Sequence, residues 1–216
     1  MRSPVRTAGP LAIALGLVAG LATPALAGPP LICDRFQIGT AASLPFGDGR
    51  GWNTPLPSYD VSRLADDTLR LLAPETPVIV RMETLRRATI YAARDAAVAH
   101  DLLARVMGRA LTAEAEGRKD ALAWFDAGYL VESYRQAAFV HKHMLEGGVR
   151  STWTLRDELK GLDGYTWVQR ALQLAGSQPE MEFAASLMKE GDASTAHRRR
   201  ALAGAKTGSL LALNVR

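Results

Sequence analysis

Residues 120–145 constrain the fold more than any other stretch of this chain. At about 100° per residue on a helix, its large apolar side chains do not keep to one stripe. Trp124, Val131 and Leu145 point one way, Phe125, Tyr129 and Val140 roughly the opposite way, and Leu130 and Tyr134 fill a third side. A helix that is apolar all round is buried. The stretch is therefore expected to be the central helix of an all-α domain, with other helices on every side.

Caps and breakers predict the neighbours. Ser58 is expected to cap a helix running to about Leu72, stopped by Pro74. Thr76-Pro77 restarts the chain as N-cap and first helical residue. The next helix has apolar positions Ile79, Met82, Leu85, Ala88 and Tyr91, between which stand Val80, Glu83, Arg87 and Arg94. A single helix from Pro77 to Glu116 would reach roughly 60 Å at 1.5 Å per residue, too long for a compact domain. A break near Arg94-Asp95 is expected instead, with Asp95 capping a helix through Ala115 and Gly117 closing it. Asp120 caps the central helix and Gly147-Gly148 ends it. Ser151 to Gly161 holds at most a short helix. Asp163 or Gly164 opens the next helix, which Gly176 closes, and Ser177-Gln178-Pro179 starts another that ends at Gly191. Asp192 to Ala205 is the last helix. No alternating pattern is long enough for a sheet. The reading is all-α, with seven or eight helices in antiparallel hairpins joined by short loops.

Three segments flank or precede this helical domain of residues 58–208. Residues 1–27 read as a secretory leader: Arg2 and Arg6, an apolar run from Leu11 to Ala22, then small residues before cleavage after Ala27. The run is too short to span a bilayer comfortably, so no transmembrane segment is expected after cleavage and the mature chain is expected to be periplasmic or secreted. Residues 28–57 are rich in Pro and Gly, which forbid a long helix. Yet Leu31, Ile32, Phe36, Ile38, Phe46 and Trp52 are more apolar than a disordered linker carries. An ordered irregular arm lying on the helices is expected, with a short strand at Leu31 to Ile38. Residues 209–216 read as a tail.

Charge and cysteine exclude some roles. Loss of Arg2 and Arg6 with the leader lowers the formal charge of +4 by two, too little to argue for nucleic acid. Cys33, the one cysteine, has no internal disulfide partner. It is expected as a small buried residue, with intermolecular pairing as the alternative.

The last two helices resemble the tetratricopeptide family, whose units pair antiparallel helices around small residues. With Gly191 in the turn, Ala184 takes the small position of the first helix and Leu187 the large one. Ala196 and Ala203 take the small positions of the second. Arg200 stands where the family has an aromatic. Ala171-Leu172 and Leu174 ahead of Pro179 resemble the end of a preceding unit. The resemblance covers about fifty residues and implies a surface that binds a protein or peptide, without catalysis.

Few residues suggest chemistry. His141 and His143 project about 200° apart on a helix, too far to chelate one ion. There is no C-x-x-C-H for haem, and no metal or cofactor is expected. Ser186 to Lys189 and Lys206-Thr207-Gly208 spell two penicillin-recognising motifs by coincidence, because the intervening residues are helical and a third motif is missing. Gly47 to Gly51 lacks the Lys-Ser/Thr of a phosphate loop. Asp126, Glu132 and Arg135 carry more weight, since burying a charge is costly unless it is paired. Glu132 and Arg135 stand i, i+3 and can meet. Asp126 needs a partner from another helix, among Arg81, Arg86, Arg87 or Arg94. These three form the candidate buried polar cluster, read either as a structural ion-pair network or as carboxylates serving a ligand or a hydrolysis. His197-Arg198-Arg199-Arg200 with Lys206 and Arg216 reads as a basic, solvated face, with weak contact to anionic envelope polymers as a secondary role. The leading function is an exported, non-catalytic interaction or scaffold module; the alternative is a small-ligand-binding or hydrolytic helical domain.

Overall fold

The computed structural model describes residues 30–49, 51–143, 159–176 and 178–215. The leader, the Gly147-Gly148 stop and most of the short helix at 151–161 lie outside the described residues, as do the side chains of His141 and His143. A 3-10 turn, Val61–Arg63, leads into α1 (Leu64–Leu71). It is followed by α2 (Val78–Ala92), α3 (Ala96–Ala115), α4 (Ala121–His143), α5 (Gly164–Ala175), α6 (Pro179–Ser186), α7 (Gly191–Gly204) and α8 (Leu210–Asn214). The described residues contain no strand. The protein is an all-α bundle of helical hairpins around α4, which packs against α2, α3 and α5.

Local chemistry sets the boundaries. Asp95 accepts from the amides of Ala97 and Val98, so the chain breaks between α2 and α3 where the sequence places the break. Gly117, at φ +70, turns the chain out of α3, a conformation glycine adopts without penalty. Asp120 accepts from the amide of Ala123 at 2.9 Å, and Asp163 from that of Thr166 at 3.0 Å. Pro179 opens α6 in the first turn, where its missing N–H costs nothing.

Some expectations give way. Asp60, not Ser58, caps the first turn, accepting from the amide of Ser62. The hydroxyl of Thr76 donates to the carbonyl of Leu71 instead of capping α2. Residues 209–215 are not a tail: Ser209 caps α8, and Leu211 and Val215 are buried. Residues 31–38 form a turn and irregular chain, not a strand. This segment turns its main-chain groups toward side chains of α2 and α4 rather than toward a neighbouring strand.

The central helix is enclosed from Ala123 to Val131, and Ser133 and Tyr134 are buried beyond that. Its second half has a wet flank at Arg135 and Phe139. α2 is just as deep. Of its residues only Arg87 is not buried, and the interior includes Arg81, Glu83 and Arg86. The arm explains this. Residues 30–49 and 51–57 lie over α2, burying Leu31, Ile32, Phe36 and Leu44, so Glu83 and Arg86 face the arm and not water, while Arg81 faces Asp126 of α4.

Two helix crossings are tight enough to require glycine. A Cβ on Gly128 would come within 2.5 Å of the Gly164 carbonyl oxygen, and one on Gly164 would strike the Gly128 carbonyl. α4 and α5 therefore cross backbone to backbone. Gly204 plays the same part against the ring of Pro179, where α7 returns along α6. In this hairpin Ala184 and Ala201 are buried in the seam while Ala203 is exposed.

Candidate functional site

Asp126, Glu132 and Arg135 do not converge. Asp126 is fully enclosed and its Oδ2 accepts from Arg81 Nη1 at 2.6 Å. Arg109 Nη1 lies 3.9 Å from the same oxygen. Arg81 also donates to the carbonyls of Ala73 and Thr76, and Arg109 to that of Leu72 at 3.3 Å. Asp126 thus neutralises two arginines that hold the turn between α1 and α2. Its other oxygen, Oδ1, makes no hydrogen bond among the described residues. Burial pushes its carboxyl up to about 6, against the pull of Arg81 and then Arg109.

Glu132 and Arg135 sit two turns away and do a different job. Glu132 Oε1 accepts from Arg135 Nη1 at 3.0 Å and from the amide of Gly164 at 3.0 Å. Arg135 donates in turn to the carbonyl of Leu162. The pair fastens the N-terminus of α5 to α4 and satisfies an amide that the helix leaves free.

The most heavily hydrogen-bonded ionic cluster lies on α2, where Glu83 and Arg87 stand between the apolar positions and Arg86 was a candidate partner for Asp126. Glu83 is 1% exposed and Arg86 is fully buried. Glu83 Oε2 accepts from Arg86 Nε at 2.7 Å and from the amide of Phe36 at 3.1 Å. Its Oε1 accepts from Arg86 Nη2 at 2.9 Å and Arg87 Nε at 2.7 Å. The arginines continue into the arm. Arg86 Nη1 donates to the carbonyls of Ile32 and Trp52, and Arg87 Nη1 to that of Leu44. Tyr91 donates to the carbonyl of Pro45 and accepts from the amide of Leu56. Burial alone would raise the Glu83 carboxyl; the hydrogen bonds and charges of Arg86 and then Arg87 overcome it and hold the group below its usual range. Glu83 and Asp126 shift oppositely because Glu83 receives four hydrogen bonds and Asp126 one among the described residues.

A second unforeseen cluster joins three helices. His197 of α7 is 7% exposed and so does not belong to the basic solvated face. Its Nδ1 lies 2.5 Å from Glu182 Oε2 on α6, and its Nε2 2.9 Å from the hydroxyl of Tyr165 on α5. Arg200 Nε reaches Glu182 Oε1 at 2.8 Å. Burial works to raise the Glu182 carboxyl, but the hydrogen bonds from Arg200 and then His197 hold it low. His197 and Arg200 stand i, i+3, and that spacing was the available signal.

The remaining site features are modest. Burial pushes the half-buried Cys33 thiol up to about 11, which makes it a poor nucleophile. A hollow of about 320 Å3 between α3 and the start of α4 is lined by Gly108, Arg109, Thr112, Arg118 and Asp120. No group of three or more His, Cys, Asp or Glu side chains placed to hold a metal occurs among the described residues. No helix among them is long and apolar enough to cross a membrane. No protein-family model matches the chain, and neither the curated proteins nor the solved structures contain a match.

Proposed function

We propose that the protein is an exported, non-catalytic interaction or scaffold module whose partner is a protein or peptide. One observation carries the non-catalytic part of this reading. The buried charges Arg81, Glu83, Arg86 and Asp126 are spent on one another and on the fold's own main chain. Charges committed in this way define a shape and hold it; they do not wait for a substrate. The export half rests on the leader pattern of residues 1–27. The resemblance of the last two long helices, with Ala171-Leu172 and Leu174 before them, to tetratricopeptide hairpins supports the same role. Leu111 and Leu202, 53% and 50% exposed, are the side chains to probe for a contact surface.

Photo-crosslinking residues placed at Leu111 and Leu202 in exported protein test the proposal. A discrete adduct at one position, competed by unlabelled protein, supports it. Absence of an adduct at either position, in cells where the chain is stable, counts against it.

The ligand-binding or hydrolytic alternative draws on a specific observation. Arg109 Nη1 and Asp126 Oδ1 have no hydrogen-bond partner among the described residues, and Arg109 lines the hollow beside them. A small-molecule binding activity lost in Asp126→Asn with an unchanged melting curve would move the assignment to that reading.

A further inference from the structure

A pocket opens where the arm crosses the C-terminal parts of α2 and α4. Its walls are the buried side chains of Ile32, Ile90, Ala137 and Val140. Ala93 and Ala137 leave the space open, because each presents only a methyl group to it. The enclosed part is about 40 Å3. One water takes about 10–15 Å3 on that measure and a benzene-sized ligand about 150 Å3, so the space suits a branched aliphatic group of about three carbons and not a ring. The walls are fixed by hydrogen bonds. Arg86 Nη1 donates to the carbonyls of Ile32 and Trp52, both beside the pocket, at 3.2 and 2.9 Å. Gln136 Oε1 accepts from the amide of Leu31 at 2.9 Å. A site already held in shape loses little freedom when it is filled.

The mouth is polar and uncommitted. Asn53 and Arg94 line it and are exposed. Neither side chain has a hydrogen bond or ion pair among the described residues, whereas Arg81, Arg86 and Arg87 are each held by a carboxylate. A cation is favoured at the C-terminus of a helix, but that preference does not call for an apolar space beside it. We propose that this pocket takes the C-terminus of a partner chain that ends in a short branched residue such as valine. The proposal rests on the reading of the protein as a module for a protein or peptide partner, and it names the part of the partner that is held. The isopropyl group fills the apolar space and the terminal carboxylate pairs with the Arg94 guanidinium. Asn53, whose amide offers both donors and an acceptor, meets the preceding peptide unit. A free short-chain acid would use the walls and Arg94 but leave Asn53 idle, which favours the peptide.

Fluorescence anisotropy tests the site, with the purified protein and a fluorescein-labelled pentapeptide of glycine and serine ending in valine. Saturable binding of the free acid is expected, with the C-terminal amide about tenfold weaker and the phenylalanine-ended acid also weaker. Arg94→Gln, an exposed change, is expected to bring the acid down to the level of the amide and to leave the amide's own affinity unchanged. Ala93→Leu fills the pocket and is expected to remove binding of both. Equal affinity for acid and amide, an Arg94→Gln protein that still prefers the acid, or no saturable binding at millimolar peptide overturns the proposal. Displacement of the peptide by isovalerate at equal concentration, the same end group without a chain, overturns the peptide assignment. Leu111 and Leu202 lie outside this pocket, so a cross-link at either with no peptide binding would strike this site and leave the partner reading standing.

Discussion

Glu83 shows how much one buried side chain can organise. It is the common acceptor for Arg86, Arg87 and the arm amide of Phe36. Glu83→Gln leaves two cations without their counterion, one of them fully buried, and breaking such a pair from one side costs about 3–5 kcal/mol. Urea denaturation should show that loss. Asp126 predicts a pH dependence of the opposite sense. Its folded carboxyl lies at about 6, above the ordinary 3.8, so folding takes up a proton between those values. The contribution is fully present below about pH 3.8 and is lost as pH rises through about 6. Moving from about pH 7 to about pH 5 should therefore add about 1 kcal/mol of stability. Asp126→Asn should abolish that gain, since the amide does not titrate. Glu83, held below its unfolded value of 4.5, gives stability that is present above about pH 4.5 and lost as pH falls through its folded value. Acid below that range should destabilise the wild type whatever Asp126 contributes.

At the scale of elements, glycines decide how closely helices approach. Gly164→Ala must push α5 away from the Gly128 carbonyl and from Glu132, and overpacking of this kind costs about 1–3 kcal/mol. Gly108 is the contrast. It lies in α3 with nothing within 4 Å of a built Cβ, so Gly108→Ala should stabilise by up to about 1 kcal/mol through helix propensity. Thermal melts of the two variants should shift in opposite directions. These elements also show what the sequence made legible. Asp95, Asp120, Asp163, Gly117 and Pro179 mark real boundaries because capping is chemistry within one turn. The enclosure of the first half of α4 was legible from its apolar residues on every side, among them Trp124 and Phe125, but the expectation of burial all round fails in the second half, where Arg135 and Phe139 are exposed. The depth of α2 was not legible, because Glu83 and Arg86 are buried by an irregular arm whose contacts leave no periodicity. For the same reason the arm was foreseen as ordered while its grip was not. The helix α8 was missed because five residues carry too little pattern, and Asp126 and Glu132 were grouped because spacing along α4 does not reveal which neighbour each one meets.

At the scale of the molecule, the two ends of the described chain meet. Asn214 accepts from the amide of Gln37 at 2.8 Å and donates to its carbonyl at 2.9 Å. Leu210 lies against Gly39, where a built Cβ would come 3.9 Å from Leu210 Cδ2. The arm is thus held on one side by the arginines of α2 and on the other by α8, although α2 and α8 are far apart in sequence. This order makes arm release a two-part event. Cutting the chain after Gly208 removes Leu211 and Val215 from the core, each worth about 1.5–3 kcal/mol when fully buried, and also removes the Gln37 clasp. It leaves the Glu83, Arg86 and Arg87 clamp intact. Limited proteolysis should then cleave first near Gln37 to Ala42 while Ile32 and Leu44 stay protected by the arginines. Glu83→Gln should reverse the pattern, exposing the residues around Ile32 and Leu44 with the Gln37–Asn214 contact still in place. If both variants gave the same first cut, the arm would release as a single unit and the two clamps would not be separable.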